Sequence, residues 1–397
     1  MRRRKHVLLI IESSTSYGRD LLRGIAQYVR ERNEWWVDIE NRGFFDPLPT
    51  SVKGWHGDGI ISRVPTRQTL QLLRRLGCPV IDLLAPGTYR NTKVLIDETQ
   101  IARLALDHFR DCRLRQFGYY SFGNCEWAFH RGNVFVDHLK KAGVSCYVCP
   151  QAPSATPSVD PFWKPEYEQT VNDWLRELPR PIGVLTANDT HANRLASACR
   201  KLDIGVPEEI AILGINNDQL LCRTLTPTLS SIDLGAERIG YESARQLDCM
   251  MTGKPLPKKA VLFSPFGIVV RQSTDMFAVD DEEVVAALRF IREHATSGIG
   301  VHDILETLNL SSRTLERGFK KHVGRTPKQE IARIRMNHAV ELLRQSKFSH
   351  EAIAKLSGYG SLRYFLDIFR AEHGETPTQF RKREAAGFFL ADYDANQ

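Results

Sequence analysis

No stretch of the chain approaches the roughly 18 apolar residues that a membrane-spanning helix needs. The nearest candidate, residues 7–11 (VLLII), follows the basic head MRRRKH but is stopped at Glu12. That is too short for a signal-peptide core and reads as a buried first strand, so a cytoplasmic protein without membrane contact is expected. The motifs of common enzyme chemistry are missing too. There is no GxGxxG after a strand, no GxxxxGK followed by Ser or Thr, no GxSxG and no HExxH. The 12 histidines do not cluster with carboxylates at ligand spacing, so neither a metal nor a cofactor is expected and the chain does not read as an enzyme. Cysteine does not occur beyond Cys249, and Cys146-Tyr-Val-Cys149 is the lone CxxC. A structural zinc needs four ligands, and the strand-like alternation of VSCYVCP sets these two thiols on opposite faces. All eight cysteines read as reduced and structural.

What is present divides at about residues 271–283. Before it, short apolar runs alternate with amphipathic helices. Strands are expected at 7–12, 36–40, 59–62, 79–84, 94–96, 117–121, 144–148, 182–187, 210–215 and 229–232. Helices are expected at 18–32, 66–76, 99–109, 127–142, 167–178, 190–202 and 235–251. This alternation predicts parallel sheets wrapped by right-handed crossovers. About ten strands exceed one small sheet, so two lobes are expected. The Pro- and Ser-rich stretch 150–166 is expected as a surface loop. After the boundary only helical patterns remain. Domains are expected at 1–274, a linker at 275–283, a helical module at 284–385 and a tail at 386–397.

Charge marks the second part. Residues 311–383 hold 16 Lys/Arg against 7 Asp/Glu, while the rest of the chain holds 38 against 40. A basic module on a near-neutral body points to nucleic acid, with a solvated basic surface as the plain alternative. Two helix–turn–helix patterns lie in it: VHDILETLNLSSRTLERGFKKHVG (301–324) and HEAIAKLSGYGSLRYFLDIFRAEHG (350–374). In the first, Leu315, Phe319 and Val323 form a buried stripe, which turns Ser312, Arg313, Glu316 and Arg317 outward as candidate base readers. Ser311 or Ser312 is the expected cap. In the second, Phe365 and Phe369 are buried, Ser361 caps, and Leu362, Arg363, Leu366 and Asp367 are expected to face out. Arginine suits a guanine edge. Lys320, Lys321, Lys347 and Arg370 suit phosphate. The helix ARIRMNHAVELLRQS between the motifs is expected to pack into both halves through Arg335, Ala339, Leu342 and Leu343.

Polar residues follow several strands in the first part, at the strand ends where ligands gather in such folds. Asp97 and Asp189-Thr190 each precede a helix, and capping alone accounts for them. Their convergence with Arg131, Asn188 and Asn216 would instead suit a neutral polyhydroxy ligand, because each hydroxyl both donates and accepts. Tyr17 and Trp127 could cover an apolar sugar face or be core.

Two resemblances follow from these residues. The module around Arg335, Ala339, Leu342-Leu343, Ile353-Ala354, Gly358-Tyr359, Ser361, Tyr364-Phe365, Phe369, Gly374, Thr376-Pro377 and Phe380-Arg381 closely resembles the AraC/XylS family of transcription regulators. The first part resembles the periplasmic-binding-protein-like sensor of the LacI/GalR family. The matching pieces are Asp97, Arg131 opening RGNVFVDHLKKAG, LTANDTHANRLASACRKLDIGVPEEIAILGINND, LTPTLSSID, GAERIGYESARQL and IVVRQST. In that family the positions of Asp97, Arg131, Asn188 and Asn216 tend to contact the effector. The usual aspartate is replaced here by Asn216, and the chain starts at the first strand rather than at a helix–turn–helix. Together the resemblances imply a sugar-responsive regulator that binds double-stranded DNA as a homodimer and, as an activator, meets RNA polymerase at the nucleoid. The alternatives are a sugar-modifying α/β enzyme or a solute-binding protein with an accessory basic domain.

Overall fold

The computed structural model describes residues 3–382, apart from 41, 45, 65–66, 85–93, 123–124, 151–164, 254–260, 276–280 and 346–347. Of the sequence expectations, Lys347, most of the 150–166 loop and the 386–397 tail lie outside the described residues. The chain forms two compact units, Met1–Met276 and Phe277–Gln397. Among the described residues no helix is long and apolar enough to cross a membrane.

The first unit is an α/β fold with two main sheets. Strands β1 (Lys5–Ile10), β2 (Trp35–Ile39), β3 (Gly59–Ser62) and β4 (Val80–Asp82) form a parallel sheet in the order β2-β1-β3-β4. Strands β6 (Gln116–Tyr120), β7 (Cys146–Val148), β8 (Ile182–Thr186), β9 (Ile210–Ile215), β10 (Ser230–Asp233) and β12 (Gly267–Val269) form the other, ordered β12-β10-β9-β8-β6-β7. Two short strands, β5 (Val94–Ile96) and β11 (Val261–Phe263), pair with each other. The helices are α1 (Ser16–Arg32), α2 (Arg67–Arg74), α3 (Glu98–Asp111), α4 (Glu126–Lys141), α5 (Pro165–Glu177), α6 (Asp189–Lys201), α7 (Gln219–Thr224) and α8 (Ala236–Met251).

The central strands are buried along their whole length, which is why they read as unbroken apolar runs. Side-chain alternation divides them between two cores: Leu185 packs into one and Ile182 and Val184 into the other. The CxxC obeys the same rule. Cys146 lies against the first core and Cys149 in the second, and all eight cysteines are free thiols. The sheets are not wholly parallel: β12 runs antiparallel to β10. It and β11 were not legible because each is three residues long and lies in a Pro-, Gly- and Lys-rich stretch (252–271). Helix α8 lies tightly on α1, where a β-carbon on Gly24 would stand 1.8 Å from the Glu237 carbonyl oxygen.

The second unit is all-helical: α9 (Glu282–His294), α10 (Val301–Thr307), α11 (Ser312–Gly318), α12 (Pro327–Gln345), α13 (His350–Leu356) and α14 (Leu362–His373). It has two cores, and α12 serves both. Ile331 and Ile334 enter the first core, whereas Met336, Ala339 and Leu343 enter the second.

Candidate functional site: two helical faces and a cleft

Each helix–turn–helix is built by a capped second helix. Ser311 caps α11, its hydroxyl accepting from the Thr314 N–H at 3.1 Å, so Ser312 is the first helical residue rather than the cap. Leu315, Phe319 and Val323 are buried, while Ser312, Arg313, Glu316, Arg317, Lys320 and Lys321 are exposed. Beyond Gly318 the helix loosens into a π turn, Phe319–Val323, and stops at Gly324. Ser361 caps α14 by accepting from the Tyr364 N–H at 3.2 Å, and Gly374, at φ 72°, ends it.

The exposed face of α14 differs from the expected one. Leu362 and Leu366 are half-buried and pack against the second core. At 100° per residue both lie beside the Phe365–Phe369 stripe, so they cannot turn fully outward. Arg363, Asp367 and Arg370 are exposed, and so is Tyr364, at 52%. Tyr364 was missed because an aromatic beside Phe365 reads as core.

The two halves share one carbonyl. Arg335 of α12 donates from Nε to Ala295 O at 2.8 Å and from Nη2 to Ile299 O at 2.6 Å. Gly358, in the turn of the second motif at φ 76°, approaches so closely that a β-carbon would stand 2.6 Å from Ala295 O.

In the first unit a cleft of about 620 Å³ collects Tyr17, Asp97, Trp127, Arg131, Asn188 and Asn216, residues that the sequence places far apart. Arg131 is buried. Its Nε and Nη2 donate to the two Glu98 oxygens at 2.7 and 2.9 Å, and Nη1 donates to Ala187 O at 2.6 Å. Burial works against its charge, but the Glu98 carboxylate holds the guanidinium above its ordinary value. Nη1 and Nη2 each keep a second hydrogen for another acceptor. Its cation also lies 5.5 Å from the centre of the Trp127 ring.

Asp97 caps α3, accepting from the Gln100 N–H at 3.1 Å. The cap of α6 is Asn188, not Asp189: its Oδ1 accepts from the His191 N–H at 3.0 Å. The same oxygen lies 2.6 Å from His191 Nδ1. Burial pushes His191 down to about 3, so its ring is neutral and has one N–H to serve two acceptors, Asn188 Oδ1 at Nδ1 and the Phe122 carbonyl, 3.3 Å from Nε2. The Asn188 oxygen is therefore occupied, and its amide NH₂ is what remains for a ligand.

Asp189 does not line the cleft. It is buried behind it, accepting from Ser231 Oγ and the Asp218 N–H, both at 2.6 Å. Burial raises its carboxyl to about 7. Its neighbour in sequence, Asn188, points the other way, and pattern alone could not separate them.

The cleft also contains residues that the sequence did not flag. Glu98 is one. Arg63 is another, held in an ion pair with buried Glu12 and stacked between the Tyr17 and Phe44 rings at 4.9 and 4.8 Å. Burial raises the Tyr17 phenol to about 12, which keeps it neutral. The arrangement offers carboxylates as acceptors, guanidinium and amide groups as donors, and two ring systems. Among the described residues no group of His, Cys, Asp and Glu could hold a metal.

Comparison with known proteins agrees on both units. Residues 106–274 match a periplasmic binding protein-like domain, and residues 304–383 match a helix-turn-helix domain. The chain is 28% identical over 393 residues to the xylose operon regulatory protein of Escherichia coli (strain K12), covering 96% of this chain and 97% of that one. It is 28% identical over 385 residues to the protein of the same name from Haemophilus influenzae, covering 94% and 97%. A solved structure of a xylose-binding transcription activator superposes with a TM-score of 0.80 at 27% identity, over 96% of this chain and 98% of that one. This chain thus has the domain make-up of an AraC-type transcription regulator with a periplasmic-binding-protein-like sensor domain. The helix-turn-helix match agrees with a DNA-binding second unit, and these relatives are named as transcription regulators, not as enzymes.

Proposed function

We propose that the regulator binds a pentose, xylose being the first candidate, in the cleft of its sensor unit and activates a sugar-utilisation operon in response. The observation that carries this reading is the cleft's mix of donors and acceptors: the Asn188 amide and the Arg131 guanidinium line the same cleft as the carboxylates of Asp97 and Glu98. Sugar hydroxyls need both roles. The names of the full-length relatives support the choice of sugar. Asp97, Trp127, Arg131, Asn188, Asn216 and Tyr17 are the proposed effector contacts. Asp189 supports the site from behind.

The proposed base readers are Ser312, Arg313, Glu316, Arg317, Arg363 and Asp367, with Leu362 and Leu366 contributing their exposed edges. Lys320, Lys321 and Arg370 are the proposed phosphate contacts. The regulator works as a homodimer that recruits RNA polymerase at the nucleoid. Sugar shifts the equilibrium between lobe closures, and it can do so only by its differential affinity for them, typically about 1–3 kcal/mol.

Thermal shift against a panel of pentoses and hexoses, followed by DNA titration with and without the best sugar, tests this. Stabilisation by one pentose and a changed DNA affinity are expected. If no sugar stabilises the protein, or if the stabilising sugar leaves DNA affinity and dimerisation unchanged, the reading fails.

A further inference from the structure

One charged surface of the sensor is explained neither by the cleft nor by ion pairing. Helices α3 and α4 pack side by side, and both end at the edge of the sheet where β6 and β7 begin. Arg110 in the last turn of α3, Arg113 and Arg115 in the connection to β6, and Lys140 and Lys141 in the last turn of α4 are all exposed at this edge. Among the described residues, none of these five side chains has a hydrogen-bond or ion-pair partner. Five other surface cations of the same unit, Arg23, Arg176, Arg180, Lys201 and Arg245, each pair with a carboxylate, and exposed cations such as Arg30 and Arg200, which do not among the described residues, lie apart from this edge, where five are gathered. Asp107, Asp111 and Asp137 are exposed nearby and leave the edge net positive.

Favourable interaction with helix C-termini accounts for Arg110 and the two lysines. It does not account for Arg113 and Arg115. Arg113 occupies the left-handed position after α3, at φ 61°. The corresponding positions after α1, α4, α6 and α8 hold Asn33, Gly143, Asp203 and Gly253, the residue types that tolerate this conformation. An arginine there stands against the local backbone preference. The same edge receives the end of the sensor. Thr274 Oγ1 is 2.8 Å from His108 Nε2, and the Thr274 carbonyl accepts from Cys112 Sγ at 3.3 Å. Asp281, which caps the first helix of the DNA-binding unit, follows within seven residues.

We propose that this edge of the sensor grips the phosphate backbone of the DNA bound by the helix–turn–helix unit. Three guanidiniums and two ammoniums without internal partners, on a short tether to a DNA-binding unit, suit phosphate oxygens and carry no sequence information. The inference rests on the regulator's binding of DNA and adds a second, sequence-independent anchor.

The test uses the full chain and a mixed-sequence duplex of about 60 base pairs, titrated by fluorescence anisotropy across a salt series. The variant carries Arg110→Gln, Arg113→Asn, Arg115→Gln, Lys140→Gln and Lys141→Gln. Its plot of log affinity against log salt is expected to be shallower by about 0.9 for each phosphate it no longer neutralises, about 2–4 in all, with at least about tenfold weaker binding at 0.1 M salt. Equal slope and equal affinity overturn the proposal. Unchanged DNA binding with lost activation in a purified transcription assay would assign the edge to an acidic protein surface and overturn it equally. Failure of the unaltered chain to bind DNA would instead sink the regulator reading. If the fivefold variant unfolds, the pairs Arg110→Gln with Arg115→Gln and Lys140→Gln with Lys141→Gln carry the test, each expected to flatten the slope by about 1–2.

Discussion

Arg131→Ala changes meaning once the structure is known. As an effector contact alone, it would abolish the sugar response and leave the fold intact. The residue, however, is 5% exposed, its fork is closed on Glu98, and a third bond reaches Ala187 O. Truncation strands the Glu98 carboxylate, itself only 16% exposed, and removes the donor to a buried carbonyl. Breaking a buried pair from one side costs about 3–5 kcal/mol. For a unit of this size each kcal/mol moves the melting point by about 2–4 °C, so a fall of about 6–20 °C is expected. All six tryptophans (Trp35, Trp36, Trp55, Trp127, Trp163 and Trp174) lie before residue 275, so tryptophan fluorescence follows the sensor without interference from the helical unit. Removing both charges, with Glu98→Gln and Arg131→Met, should recover most of the loss, because no carboxylate is then left unpaired. Sugar binding should stay lost in both variants. The reasoning is refuted if Arg131→Ala melts within about 2 °C of the unaltered chain, or if the double variant is no more stable than the single one.

Three further outcomes are expected. His191 and Asp189 should oppose each other in the pH dependence of sensor stability. His191 is pushed down to about 3, so the unfolded chain binds its proton first and stability falls as pH drops below its ordinary value of 6.5. Asp189 is raised to about 7, so its contribution is full below 3.8 and is lost as pH rises towards 7. Asp189→Asn removes the second effect. Between about pH 4 and 6.5 its stability should climb with pH more steeply than the unaltered chain, by up to about 1.4 kcal/mol per pH unit, and denaturant melts across this range measure the difference. Ser361→Ala should destabilise the helical unit by about 1 kcal/mol through loss of the α14 cap, read by far-ultraviolet circular dichroism during urea unfolding, and Ser361→Asn should restore it. Arg317→Ala and Arg363→Ala should each cost about 1–3 kcal/mol on the operator and relax the preference at particular bases. A selection from random duplexes that returns the same motif with uniformly weaker binding would make them phosphate contacts.

Period and punctuation made most of the fold legible. The parallel strands of the sensor are apolar runs bounded by turn residues, and the stripe residues of both reading helices have 3.6-residue spacing. What failed did so for local reasons. Strands β11 and β12 lie in a stretch rich in Pro, Gly and Lys, which reads as loop. Leu362 and Leu366 were assigned outward because only the Phe365–Phe369 stripe was counted as buried, although their spacing sets both beside it. In the cleft, the sequence flagged residues standing alone after strands but not their partners. Glu98 follows Asp97 and reads as an ordinary first-turn acid, yet it holds Arg131 in place. Arg63 follows a buried strand, and only the fold brings it to Glu12, Tyr17 and Phe44. Pairings between distant segments leave no trace in a single sequence. That is also why Asn188 and Asp189, adjacent and chemically alike, take opposite sides of the cleft wall.

Packing also sets how the helical unit presents its two proposed reading faces. A helix–turn–helix pair on a flexible connection could adapt to half-sites at several spacings. Here Ala295 O accepts Arg335 Nε from the connecting helix, and the turn of the second motif approaches the same oxygen with no room for a side chain at Gly358. Arg335 is drawn below its ordinary value by burial, so exposing it would regain solvation but give up both carbonyl bonds. Ile331 and Ile334 enter the first core and Ala339 and Leu343 the second on the one α12 rod, so neither half can rotate without opening a core. The two faces are thus fixed relative to each other by packing and not by the DNA. If both α11 and α14 enter the major groove, the operator is expected to present its two segments at one set distance.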